Sequence, residues 1–254
     1  MSPRELLHTA VWIKRHVLKQ LSVPEASLLV DHVEPSDVLL DVGAHAGAWT
    51  AALSKLVPSG KVVAFEALPY YVRVLEATLR MIGKANVTVI NKALLDERKV
   101  VEIVWRDRKG NRLTGLTHIR GEEEPAHETV EVNATTLDTL MNQFEGRVRF
   151  IKLDIEGAEL LALRGAENLI SAYRPILYLE LRESFCKRYG YVPADVFTFL
   201  EEKDYAGYLH RDDGSWEHIT AETYDDENDV WFVPIEEAET FTGSRDPAGS
   251  SVAR

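Results

Sequence analysis

The sequence predicts an α/β fold: a mostly parallel sheet with helices on both faces. Three observations predict it. Short apolar runs at 38–42, 62–66 and 87–91 alternate with stretches of helical periodicity, the pattern of βαβ units. A glycine-bearing turn, Gly43-Ala44-His45-Ala46-Gly47, follows the first run. Further on, Phe150-Ile151-Lys152-Leu153-Asp154 is an apolar strand that ends on a carboxylate, where open α/β sheets hold their ligands.

Taken in order, residues 4–21 have Leu7, Val11, Leu18 and Leu21 at helical spacing, with the aliphatic stem of Lys14 on the same stripe. Arg4, Lys14, Arg15 and Lys19 make that helix basic, so it is expected to dock as a lid or a dimer surface. Strand 38–42 leads to a helix at 48–57, which Pro58-Ser59-Gly60 ends. Strand 62–66 leads to a helix at 69–83 opened by Pro69. After strand 87–91 the rhythm changes. Residues 100–105 and 128–132 alternate with period two and predict an antiparallel pair, joined by a polar stretch from 106 to 127. The α/β rhythm then returns with a helix at 137–144, a strand at 148–154, a helix at 158–171 and a strand at 176–181. A helix at 194–203 precedes a closing antiparallel hairpin of 205–210 with 230–233. These runs divide the chain into an N-terminal helical segment (1–35), one α/β domain (36–240) and a disordered tail (241–254) that lacks apolar periodicity.

Composition narrows the function. A chain of 254 residues with 45% hydrophobic content suits one large domain. The net charge of -12 argues against general nucleic-acid binding, which needs concentrated Lys and Arg. Cys186 is the sole cysteine, which excludes an internal disulfide and cysteine-rich metal sites and fits a reducing compartment. Lys14, Arg15, His16 and Lys19 interrupt the N-terminal apolar residues, so no secretory signal is expected. No run is long enough to span a bilayer. The expected location is the cytoplasm.

The turn and the strand ends carry the chemistry. Gly43 and Gly47 remove Cβ atoms where main chain approaches closely. Glu66 follows roughly 20 residues on, where a carboxylate accepts from a ribose diol. A dinucleotide turn would carry a third glycine. Here Asp41 precedes only two, and its charge suits a cationic ligand such as S-adenosylmethionine better than a pyrophosphate. At the second edge, Asp154, Glu156 and Glu159 crowd together, and Glu180 ends the next strand. Glu159 is equally readable as a helix cap. Asp154 with Glu180 can hold a divalent metal, but no histidine-bearing ligand pattern accompanies them, so metal dependence is left open. His118, in the polar stretch, is a candidate base for a hydroxyl acceptor, though a loop histidine is more often merely exposed.

Several stretches together resemble the FkbM family. They are Asp41-Val42-Gly43-Ala44-His45-Ala46-Gly47, Phe65-Glu66-Ala67-Leu68-Pro69, Asn91-Lys92-Ala93-Leu94 and Thr136-Leu137-Asp138-Thr139-Leu140. Lys152-Leu153-Asp154-Ile155-Glu156-Gly157-Ala158-Glu159, Leu163-Arg164-Gly165-Ala166 and Leu179-Glu180 complete the set. The resemblance implies S-adenosylmethionine-dependent methyl transfer, mostly to hydroxyls of sugars or polyketide-type metabolites. It also implies a class I methyltransferase fold, a Rossmann-like seven-stranded sheet whose last strand is antiparallel. On that basis Asp41, Gly43, His45 and Gly47 surround the methionine part, Glu66 takes the ribose and a turn at Ala93-Leu94 flanks adenine. Asp154 faces the methyl-transfer site, and Glu180 and His118, read above from the strand end and the polar stretch, join it as catalytic candidates. His45 stands where the family commonly has Asn, and the segment Thr114-Gly115-Leu116-Thr117-His118 also differs. Two other functions share these motifs: an NAD-dependent oxidoreductase and a non-catalytic nucleoside-binding module.

Overall fold

The computed structural model describes residues 3–17, 23–106, 118–120, 128–226 and 229–243. The helical elements are α1 (Pro3–Val17), α2 (Ala48–Leu56), α3 (Pro69–Met81), α4 (Leu137–Leu140), α5 (Glu159–Arg164), α6 (Glu167–Tyr173), α7 (Glu183–Cys186), α8 (Pro193–Glu201) and α9 (Ala238–Thr242). The strands are β1 (Val38–Val42), β2 (Lys61–Phe65), β3 (Val87–Ile90), β4 (Ala93–Leu94), β5 (Val100–Arg106), β6 (His118–Ile119), β7 (Glu128–Thr135), β8 (Val148–Leu153), β9 (Ile176–Leu179), β10 (Tyr205–His210), β11 (Trp216–Ile219) and β12 (Val230–Pro234).

Eight strands form the main sheet in the order β11-β10-β12-β9-β8-β1-β2-β3. β1 is its centre, paired in parallel with β2 on one side and β8 on the other. Helices can cover both faces because the strands alternate. Leu40, Val42, Ile151 and Leu153 face one core, while Leu39, Phe150 and Tyr178 face the other. β12 is antiparallel to β9 and to β10, so β10 runs with the parallel strands. Without β11, this is the class I methyltransferase sheet that the resemblance implies. The eighth strand is the difference: residues 216–219 pair with β10 as an edge, so 205–210 and 230–234 are neighbours in the sheet but not a simple hairpin. Trp216 anchors the extra strand by packing against Trp231 and Phe241.

A second sheet, β4-β7-β5-β6, stands beside the first. The predicted antiparallel pair is β5 with β7. Two details differ from expectation. Ala93-Leu94 is a strand, parallel to β7, and His118-Ile119 adds a strand within the predicted polar stretch. The remainder of that stretch, 107–117 and 121–127, lies outside the described residues.

The helix expected at 158–171 is two helices. It breaks at Gly165-Ala166, where a Cβ on Gly165 would lie 2.0 Å from the Leu95 carbonyl oxygen. The carboxylate of Asp138 then caps the new N-terminus, accepting from the backbone N–H of Asn168 at 3.1 Å and of Leu169 at 2.9 Å. The Asp138 N–H also donates to the Gly165 carbonyl at 3.0 Å, so the 136–140 and 163–166 segments meet directly.

α1 packs against α3, but not by the predicted stripe. Leu7 and Val11 are 68% and 42% exposed, whereas Thr9 is buried and His8 donates to or accepts from the Tyr70 hydroxyl at 2.8 Å. Aromatic complementarity with α3 outweighs the aliphatic stripe. Trp12 joins the same cluster by donating to His8 at 2.7 Å. Residues 18–22 lie outside the described residues, as does the tail from 244 onward. Phe241, placed by sequence in the tail, is buried in α9 against Trp231. Among the described residues no helix is long and apolar enough to cross a membrane.

Candidate active site

A cavity of about 510 Å³ opens at the carboxyl ends of β1, β2 and β8. β4, β5 and β6 supply one wall through Ala93, Leu94, Ile103 and His118, and α1 supplies a roof through Trp12 and Arg15.

The floor begins with the turn after β1. Gly43 has φ +79, and a Cβ there would lie 1.9 Å from the Asp154 carbonyl oxygen. Gly47 has φ +90, and its Cβ would lie 2.5 Å from Leu75 Cδ1. Both glycines are thus required by the protein's own packing, not by a ligand alone. His45 also takes a left-handed φ of 49. Its ring lies 3.9 Å from that of Tyr71 and 5.5 Å from that of Trp12, and its Nε2 is buried with no hydrogen-bond partner among the described residues. Burial, helped by His8, lowers its pKa to about 4, so this imidazole is neutral near pH 7.

Glu66 follows β2 directly and is buried. One carboxylate oxygen accepts from the backbone N–H of His45 and the other from that of Leu68, each at 2.8 Å. Each oxygen keeps a second lone pair for a ligand hydroxyl. Burial raises its pKa to about 7 against these donors. Asn91 pins the loop beneath it by donating to the carbonyls of Glu66 at 2.9 Å and Ala67 at 2.7 Å.

Asp41 is not where the sequence suggested. It is fully buried under the turn, accepting from Thr50 at 2.5 Å and lying 3.5 Å from Lys152 Nζ. Strand register explains this: Asp41 and Lys152 are direct neighbours on β1 and β8, on the face that α2 covers. Lys152 is the site residue that sequence reasoning missed. It donates to the Gly43 carbonyl at 3.1 Å and lies 3.0 Å from Asp154 Oδ2. Burial disfavours its charge, but Asp154 and Asp41 overcome this and raise its pKa. Its signal was available: a lysine in an apolar strand, two residues before an aspartate, shares that aspartate's face.

Beyond Asp154 the chain turns sharply. Glu156 has φ 59 and Gly157 φ 104, so α5 begins only at Glu159 and Glu156 belongs to the turn. Glu159 is the cap, fully buried and accepting from the backbone N–H of Ile155 at 2.9 Å and Gly157 at 3.2 Å. Glu156 instead faces Asp154 and Glu180: one oxygen from each of these three carboxylates lies within 4.8 Å of the others. Burial would raise Asp154, but Lys152 holds it below the ordinary carboxylate range. Burial and the Asp154 charge push Glu156 up to about 8, and the same causes push Glu180 up. His118, expected on a loop, is buried in β6 and lines the same cavity.

The structure thus brings together Gly43, His45, Glu66, Ala93, Leu94, His118, Asp154 and Glu180 around one cavity. Asp41 and Gly47 lie behind its wall. The cavity suits an adenosine-type cofactor: an apolar slot at Phe65, Ala93, Leu94 and Ile103, a carboxylate with free lone pairs, and an unpartnered imidazole nitrogen beside them.

Residues 41–206 match the model of the methyltransferase FkbM domain. The chain belongs to the FkbM methyltransferase family. Membership carries the class of chemistry, methyl transfer from S-adenosylmethionine, and favours it over the dinucleotide alternative. The chain is also similar to the FkbM methyltransferase of Methylobacillus flagellatus KT, at 20% identity and a TM-score of 0.49 over 78% of this chain. The match covers 44% of the Methylobacillus protein, so this chain spans less than half of it. An S-adenosylmethionine-dependent methyltransferase from Aquifex aeolicus is similar at 16% identity and a TM-score of 0.41, over 87% of this chain and 88% of that one. An O-methyltransferase from Bacillus cereus, in complex with S-adenosylhomocysteine, is similar at 14% identity and a TM-score of 0.48, over 92% of each chain. No curated protein matches the chain.

Proposed function

We propose that this FkbM-family chain methylates a hydroxyl of a small molecule: a sugar, a glycoside or a polyketide-type metabolite. The observation that carries the proposal is the carboxylate group Asp154, Glu156 and Glu180 at one end of a cavity whose other end suits a nucleoside. S-adenosylmethionine supplies the methyl group, on a sulfonium carbon open to in-line displacement. The chain supplies alignment and a place for the acceptor's proton. Glu66 holds the ribose hydroxyls, and Ala93 and Leu94 flank the adenine. The His45 imidazole, neutral near pH 7, offers Nε2 to the bound cofactor.

Asp154 keeps its charge because Lys152 stands beside it. An ionised Asp154 accepts from the acceptor's hydroxyl and orients its oxygen. Of the groups within the same walls, His118 can take the proton, whereas Glu180, pushed up to about 9 by burial and the Asp154 charge, already holds one near pH 7. The position of α1 over the cavity supports a lid role, since Trp12 and Arg15 close the side that the sheet leaves open.

The test is transfer of isotopically labelled methyl from S-adenosylmethionine to a panel of glycosides and hydroxylated metabolites, read by mass spectrometry. An O-methyl product that Asp154→Asn slows at least 10-fold, with S-adenosylhomocysteine binding kept, supports the proposal. A product methylated on nitrogen or carbon would replace it.

A further inference from the structure

We propose that Asp154, Glu156 and Glu180 form a divalent-cation site of the Mg²⁺, Mn²⁺ or Ca²⁺ class, whose remaining coordination positions face the acceptor end of the cavity. The inference deepens the O-methyl transfer reading and rests on it for the acceptor. The site itself rests on geometry. One oxygen from each residue falls within 4.8 Å of the other two. Two oxygens on opposite sides of one ion lie about 4.2 Å apart around Mg²⁺ and about 5 Å apart around Ca²⁺, so small rotamer changes close the set.

A second observation points to a ligand independently of the clustering. Glu156 is only 7% exposed, and among the described residues its Oε2 has no hydrogen-bond partner; Oε2 of Glu180 is likewise buried and unpartnered among them. Buried carboxylate oxygens without donors are costly unless a cation meets them. The neighbouring cation does not meet them: Lys152 is committed to Asp154 Oδ2, Asp41 and the Gly43 carbonyl. Arg188 hydrogen-bonds Glu156 at its backbone carbonyl, at 3.4 Å, and acts on its carboxyl, as Arg182 does, through charge without a hydrogen bond.

The donor set selects the ion class. It is all oxygen and all carboxylate, which suits hard cations and disfavours zinc or copper. The turn geometry adds the reason Glu156 is here at all. Its left-handed backbone sends the side chain toward the cavity, while Glu159 takes the capping role. A cation at this point holds an acceptor oxygen and stabilises its deprotonated form.

The experiment titrates MnCl₂ into the full chain, free of methyl donor and acceptor, and reads bound Mn²⁺ by electron paramagnetic resonance. S-adenosylhomocysteine thermal shift is measured on the same samples. The expected result is one saturable site per chain, weakened at least 10-fold by Glu156→Gln and by Glu180→Gln and competed by Mg²⁺ or Ca²⁺. Gln keeps the shape of a protonated carboxyl, and a variant that loses the cooperative melt is replaced by Asp154→Asn. Absence of Mn²⁺ binding, or binding unchanged in these variants, overturns the metal site. If S-adenosylhomocysteine still stabilises the chain in that case, the methyltransferase reading stands without the metal.

Discussion

Replacing Gly43 with Ala perturbs the junction between cofactor turn and carboxylate edge. Two costs add. A left-handed φ of +79 costs an alanine about 1–2 kcal/mol. The new Cβ would lie 1.9 Å from the Asp154 carbonyl oxygen and 3.2 Å from Ile155 Cγ2, and overpacking of this kind costs about 1–3 kcal/mol. The oxygen belongs to backbone held by a hydrogen bond from Asp154 N to the Val42 carbonyl at 3.2 Å, so it cannot swing aside as a side-chain tip would. The expected total is about 2–5 kcal/mol, toward the upper end because the nearest partner is backbone. Gly190→Ala separates the two costs. Its φ is +75, but nothing lies within 4 Å of the added Cβ, so it should lose only about 1 kcal/mol. Urea unfolding of both variants measures the difference. If Gly43→Ala is no less stable than Gly190→Ala, the close approach between the turn and Asp154 is not real, and the site geometry built on it fails.

Three further outcomes are expected. The Glu66 carboxyl, with a pKa of about 7 in the folded protein, must be ionised to accept both ribose hydroxyls. S-adenosylhomocysteine affinity should therefore fall as pH drops below about 7 and level off above it, and calorimetry of Glu66→Gln should give a flatter profile. Glu66→Ala should lose about 1.5–3 kcal/mol of cofactor binding with a cooperative fold retained; unchanged affinity would remove Glu66 from the ribose site. Glu159 is raised from 4.5 to about 7 by burial, so the unfolded chain ionises it first. Its contribution is intact below pH 4.5 and lost as pH rises to 7, a loss of about 3 kcal/mol. Glu159→Gln cannot ionise, so its melting temperature should match wild type near pH 4.5 and exceed it at pH 8; a constant difference across that range contradicts the assignment.

Much of this was legible because period-two and period-3.6 patterns fix which residues face a core. The parallel strands, the antiparallel β5–β7 pair and the carboxyl-edge position of Glu66, Asp154 and Glu180 all follow from local pattern. What the sequence did not reveal depends on contacts between distant segments. Asp41 lies behind the cavity wall because β1 and β8 set it beside Lys152, a pairing no single strand encodes. Glu156 and Glu159 are three residues apart and chemically alike, yet a left-handed turn sends one to the site and the other to a cap. The split of the 158–171 helix depends on Leu95, far away in sequence. α1 misled most plainly: its aliphatic stripe is exposed, and the face that docks is built from His8 and Trp12, whose partners Tyr70 on α3 and His45 in the turn after β1 could not be seen from α1 alone.

The central claim is that one cavity holds the nucleoside at Glu66 and presents the methyl-bearing end to Asp154 and Glu180. A structure of the complex with S-adenosylhomocysteine tests it most directly. The account predicts both ribose hydroxyls within hydrogen-bond distance of the Glu66 carboxylate, adenine between Ala93-Leu94 and Ile103, and sulfur directed toward the Asp154–Glu180 end. A nucleoside whose ribose makes no contact with Glu66, or whose sulfur points away from those carboxylates, would contradict it.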